Sequence, residues 1–118
     1  MPKTLPTIDM SEPVCCAPVA AGPTDDGAAL EVAMRLKALA DPVRVKLMSL
    51  LFTADEPCTT GSLAAEVNLS ESTVSHHLGQ LRTAGFLTSH RQGMSVHHIA
   101  NREALTALCR VLDPACCS

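Results

Sequence analysis

Between residues 69 and 100 the hydrophobic pattern changes once, from helical spacing to short runs, and that change limits the folds open to this chain. Val74, Leu78 and Leu81 recur on one side of a segment that predicts a helix over 70–84. Ser70 is placed to cap it, Leu69 and Val74 to form a hydrophobic staple, and Gly85 to end it. Residues 86–91 and 95–100 then predict two short strands joined by a turn around Gln92-Gly93. Just upstream, 60–67 predicts a short helix with Leu63, Ala64 and Val67 on one side, and Asn68-Leu69 turns the chain into the longer one.

Two helices joined by a tight turn and followed by a hairpin make the winged helix-turn-helix plan, so the expected fold is mainly α with a small β-hairpin wing. The side of the longer helix away from its apolar stripe is small or polar. Ser72, Thr73, Ser75, His76 and Gln80 can reach phosphates and base edges, with His76 pointing most directly outward, and Arg91 and Gly93 belong to the wing. The same face also reads as an ordinary solvated helix surface. Charge is segregated along the chain: from Ser72 to Arg102 there is no Asp or Glu, while Arg82, Arg91, Arg102 and all five histidines lie there. Ten of the twelve acidic residues fall at or before Glu71, so a formal charge of −3 argues against indiscriminate DNA binding yet leaves room for a local positive patch. Arg82 reads as a phosphate contact or a solvated charge. His77, nearer the apolar stripe, reads as a packing residue or a DNA contact.

The segments LKALADPVRVKLMSLL at 36–51 and STVSHHLGQLRTAGFL at 72–87, in this order and spacing, resemble the ArsR/SmtB family of bacterial winged-helix repressors that sense metals and metalloids. With the helices around them they cover most of residues 28–112. The resemblance implies a homodimer, joined through its two end helices, that binds palindromic operator double-stranded DNA and releases it when a ligand binds. Composition agrees with a need for a partner. The 118 residues contain two Phe and neither Trp nor Tyr, so Leu, Val, Ala and Met must supply the core. The apolar positions Leu105, Leu108, Cys109 and Leu112 near the C-terminus, and Leu30, Met34 and 36–39 near the N-terminus, offer more surface than one monomer uses.

The expected organisation is an irregular arm over 1–27, carrying five of the eight prolines, a winged helix-turn-helix and dimerisation domain over 28–112, and a tail over 113–118. A basic stretch followed by an apolar run is lacking at the N-terminus, and no run approaches the roughly 20 apolar residues of a membrane helix, so no membrane partner and a cytoplasmic location are expected.

Six cysteines bear on the ligand: Cys15-Cys16 in the arm, Cys58 just before the helix-turn-helix, Cys109, and Cys116-Cys117. A disulfide framework is not expected in a cytosolic chain, and neighbouring Cα atoms about 3.8 Å apart are poorly placed to close on themselves. Adjacent thiolates can clamp a soft ion. Trivalent arsenic or antimony takes three pyramidal sulfur ligands, where zinc normally takes four, and Cys15, Cys16 and Cys58 would supply three. Cys58 alone also reads as a small buried apolar side chain. The family's best-known arsenic site uses cysteines in the helix before the recognition helix; residues 61–69 have none, and the C-terminal helix lacks the Asp/His pairs of the zinc-sensing type. The arm's pair and Cys58 instead resemble an arsenic-responsive variant of the family, which implies a site bridging two subunits. Chain reach, at about 3.3 Å per extended residue, also allows a site within one.

Cadmium or lead sensing through Cys58 with the C-terminal cysteines, and redox sensing, are the alternatives. His97-His98 is a poor zinc site, because adjacent strand residues point to opposite faces. An enzyme, such as a small thiol reductase, is not expected: no C-x-x-C, no Gly-rich phosphate loop and no acid or base beside Cys15-Cys16 is present.

Overall fold

A computed structural model describes residue 10, residues 12–14 and residues 17–115 of the chain. Five α-helices and a three-stranded antiparallel sheet follow a short 3-10 turn at Val19–Ala21. Helix α1 spans Asp26–Leu39, α2 Pro42–Thr53, strand β1 Cys58–Thr59, α3 Thr60–Val67, α4 Glu71–Thr83, β2 Leu87–Gln92, β3 Ser95–Ala100 and α5 Arg102–Leu112.

Side chains fix most of the helix starts. The Asp25 carboxylate accepts from the Ala28 N–H at 2.8 Å, and the Asp41 carboxylate accepts from Val43 at 2.8 Å and Arg44 at 3.3 Å, with Pro42 supplying a first-turn residue that needs no N–H partner. Thr59, Ser70 and Asn101 cap α3, α4 and α5 in the same way. Asn68, with φ +56°, turns the chain left-handed between α3 and α4. Gly85, with φ +87°, turns it out of α4 into β2, where a side chain would also meet the Met10 carbonyl oxygen at 2.6 Å.

The core is aliphatic, as the composition requires. Leu47 and Leu51 of α2, Leu63 of α3, and Val74, Leu78 and Leu81 of α4 pack with Phe86 and Leu87 at the root of the wing. Helix α5 enters this core through Ala104, Leu108 and Val111; of the apolar positions read from the sequence, Leu108 is buried, Leu105 packs partly buried against the core and Leu112 stays exposed. Helix α1 contributes Val32 and, unexpectedly, Arg35, only 2% exposed. The Arg35 guanidinium donates to the Glu12 carbonyl at 2.9 Å and meets Glu31 at 3.4 Å, so a stretch of the arm lies against α1, and the neighbouring Val14 is buried.

The sheet has the order β1-β3-β2. The hairpin pairs Leu87 with Ala100 through to Gln92 with Ser95, which places β2 and β3 where the sequence pattern puts them. The third strand, β1, is an addition to the hairpin. It pairs Cys58 with His98 and Thr59 with His97, tying the segment before α3 to the base of the wing. Among the described residues no helix is long and apolar enough to cross a membrane.

Candidate nucleic-acid interface and the Cys58 thiol

Burial of Val74, Leu78 and Leu81 fixes the roll of α4, and the opposite face follows from it. Ser72, Thr73, Ser75, His76 and Gln80 are all exposed on that face. Thr73 is partly committed to the helix start, since its hydroxyl accepts from Ser70 Oγ at 2.9 Å while its N–H donates to the same oxygen at 3.2 Å. Gly93, at φ +64°, makes the wing turn, Arg91 is exposed on β2, and Met94 at the tip is 98% exposed. A cleft of about 390 Å³ separates the start of α4 from the wing, lined by Ser72 and Ser75 on one side and by Ser95 and Val96 on the other. Glu71 also lines this cleft, a carboxylate just before the acid-free stretch that supplies the rest of the exposed row.

His77 is half-buried, its Nδ1 lacks a hydrogen-bond partner, and it faces the Asp41 and Arg44 pair at the start of α2. It is therefore set back from the exposed row. Burial acts to raise the Asp41 carboxyl, but the Arg44 and Val43 N–H groups, with the electrostatic contributions of the His77 ring and the Arg44 side chain, outweigh it and hold the group below its ordinary range.

Behind the wing lies a group the sequence pattern did not assign. His98 is 3% exposed, with Thr60 Oγ1 2.8 Å from its Nε2 and Ser89 Oγ 2.7 Å from its Nδ1. Burial depresses its pKa first, and Arg82, His97 and His90 add to the effect, so the ring is held neutral, with one nitrogen donating and the other accepting. Arg82 of α4 donates to the same Ser89 hydroxyl at 3.4 Å. The signal for an inward histidine was present in the alternation of His97 and His98, which rules against a shared ion as readily as it puts one ring inside. His97 instead stacks on His90 across the hairpin, with centroids 5.9 Å apart and planes 18° from parallel.

Cys58 is a free thiol, half-buried at the start of the helix-turn-helix, with Sγ 3.8 Å from the Glu56 carbonyl. Burial pushes its pKa up. Cys109 on α5 is disulfide-bonded, against the expectation of thiols throughout. Cys15, Cys16, Cys116 and Cys117 lie outside the described residues, and among the described residues no group of three or more His, Cys, Asp or Glu is placed to hold a metal ion.

A recognition helix with an exposed polar face, braced by a preceding helix and flanked by a wing, defines a winged helix-turn-helix DNA-binding regulator and not an enzyme. The chain belongs to the arsR family of bacterial regulatory proteins, whose model matches residues 41–89. It is 36% identical over 69 residues to the transcriptional repressor SdpR of Bacillus subtilis, covering 58% of this chain and 74% of that one. It is 32% identical over 99 residues to a Halobacterium salinarum protein named as an arsenical resistance operon repressor, ArsR2, covering 84% and 81%. The fold is similar to the homodimeric winged helix-turn-helix DNA-binding domain of a Mycobacterium bovis protein, with a TM-score of 0.60 at 26% identity over 75% of this chain and 82% of that domain.

Proposed function

We propose that this chain is a cytoplasmic, homodimeric repressor that binds operator double-stranded DNA when ligand-free and dissociates when trivalent arsenic, or antimony, engages Cys15, Cys16 and Cys58. The observation that carries the reading is a free Cys58 thiol on β1, next to Thr59, the residue that caps the first helix of the DNA-reading unit. A pull on Cys58 is then a pull on the start of that unit. The ArsR2 relative supports the ligand class by its name. Three sulfur donors suit the pyramidal preference of trivalent arsenic, and the thiols of the arm would complete a set that Cys58 begins. On the DNA side, Ser72, Thr73, Ser75, His76 and Gln80 would enter the major groove while Arg91 and the Gly93 turn meet the backbone.

The experiment is operator release by a panel of ions, with Cys15, Cys16 and Cys58 each changed to serine. Arsenite should dissolve the wild-type complex, and each serine variant should retain it at the same arsenite concentration. A Cys58→Ser protein released as readily as wild type contradicts the proposal. Arg91→Ala should weaken operator binding and reduce its salt slope by about one if Arg91 meets a phosphate. A redox response is the second reading, favoured by the disulfide at Cys109. Release by an oxidant and not by arsenite, reversed by a thiol reductant, would select it.

A further inference from the structure

The buried histidine behind the wing stands at the one junction of the sheet where β1, β2, β3 and the two helices of the DNA-reading unit meet. Its strand neighbour across β1 is Cys58 itself, paired with it in register. Two residues along the chain from Cys58, Thr60 begins α3 and places its hydroxyl on His98 Nε2 at 2.8 Å. On the opposite side of the ring, Ser89 of β2 meets Nδ1 at 2.7 Å, and Ser89 also accepts from Arg82 of the recognition helix at 3.4 Å. A chain of polar contacts therefore runs from Thr60 through the ring to Ser89 and Arg82, parallel to the backbone pairing that holds Cys58.

We propose that His98 is a positioning residue that locks the recognition helix, the wing and β1 into one unit, and that it carries a displacement of Cys58 to Arg82. The proposal rests on the reading of Cys58 as an inducer ligand. A neutral imidazole has one donor and one acceptor and both are used here, so the two hydroxyls cannot be moved apart without breaking a partly buried hydrogen bond to the buried ring. Loss of such a bond is costly when the group left behind is shielded from water, and His98 is shielded. The junction has two defined arrangements as a result, linked or broken, and a moving β1 selects between them. A hydrophobic residue in the same place would let β1 slide without consequence for α4.

Thr60 and Ser89 allow the relay to be cut on either side without touching the histidine. Thr60→Val keeps shape and loses the hydroxyl, Thr60→Ser keeps the hydroxyl, and Ser89→Ala removes the link to Arg82. For each protein two quantities are measured: arsenite binding, from the near-ultraviolet absorbance of arsenic–thiolate bonds, and the release factor, the ratio of operator Kd with and without saturating arsenite. The wild-type factor should fall in the roughly 5- to 150-fold range of ordinary allosteric coupling. Thr60→Val and Ser89→Ala should bind arsenite as wild type does and show release factors of about threefold or less. Thr60→Ser should keep the wild-type factor, which a merely structural loss at this site would not predict. Wild-type release factors in both Thr60→Val and Ser89→Ala overturn the positioning role while leaving the arsenic reading intact. A wild-type protein that arsenite does not release overturns that reading first and the relay with it. Because Thr60→Val is nearly isosteric and Thr60 is only partly buried at the first turn of α3, it keeps the test open if Ser89→Ala fails to fold.

Discussion

If Cys58 takes the inducer as proposed, the protonation of its thiol sets how many protons accompany uptake. Burial raises its thiol, so at neutral pH it holds its proton. Arsenous acid condenses with three thiols to give three As–S bonds and three waters, with no proton released. Cadmium must displace a proton from each neutral thiol it binds. Arsenite-driven release should therefore vary little between about pH 6.5 and 8, while any cadmium response should strengthen by up to roughly tenfold per pH unit for each proton displaced. Operator titrations at three pH values check this, and a steep arsenite dependence would contradict it. Asp41 gives a second residue-scale expectation. Its folded-state pKa is held below the unfolded value, so its contribution to stability is complete above the unfolded value and fades as pH falls through the folded one. Asp41→Ala should lower the thermal midpoint at pH 7, and the gap to wild type should close in acid below about pH 4. A gap that persists unchanged at pH 3 would assign the role of Asp41 to shape and not charge.

Among the elements, α3, α4 and the hairpin were legible because each carries its own period over six residues or more: Leu63 and Ala64, then Val74, Leu78 and Leu81, lie inward as their spacing requires. The exposed row on α4 was legible for the same reason, since burial of one face fixes the other. Strand β1 was not, because two residues cannot show alternation and its partner is some 40 positions away in the chain, from Cys58 to His98. Arg35 was missed from the core because arginine is rarely buried unless paired; Glu31, one turn away, could be read from the sequence, but the Glu12 carbonyl that also holds the guanidinium leaves no mark there. On α5 only packing shows that Ala104 and Val111 join Leu108 in the core, while Leu112 of the apolar row read from the sequence stays exposed. The turn between α4 and β2 yields a prediction at this scale. Gly85→Ala adds a side chain at φ +87° that would lie 2.6 Å from the Met10 carbonyl, so it should destabilise the fold by more than about 1 kcal/mol and displace the arm from this corner. Faster proteolysis within the first 20 or so residues should accompany the lower thermal midpoint; an unchanged cleavage pattern would show that the arm does not depend on this contact.

At the scale of the whole molecule, the proposed dimer would draw on apolar surface left on the end helices. Leu30 and Leu36 on α1 and Leu112 on α5 remain exposed, while the similar Mycobacterium bovis domain is homodimeric. Leu30→Glu combined with Leu112→Glu should shift the protein toward monomer in light-scattering measurements and weaken operator binding by more than tenfold, because one subunit retains only one half-site's contacts. Full operator affinity in a demonstrated monomer would contradict a two-fold reading of the site. The sheet adds a mechanical consequence. Strand β1 grips β3 only at His97 and His98, so the hairpin is clamped at its root and free at Gly93 and Met94. It is a cantilever about 12 Å long, from the rise of about 3.3 Å per residue. A tilt of about 10° at the clamp swings the tip by roughly 2 Å, more than a hydrogen bond to a phosphate tolerates. A displacement too small to disturb the core at Cys58 is thereby magnified where the wing would touch DNA.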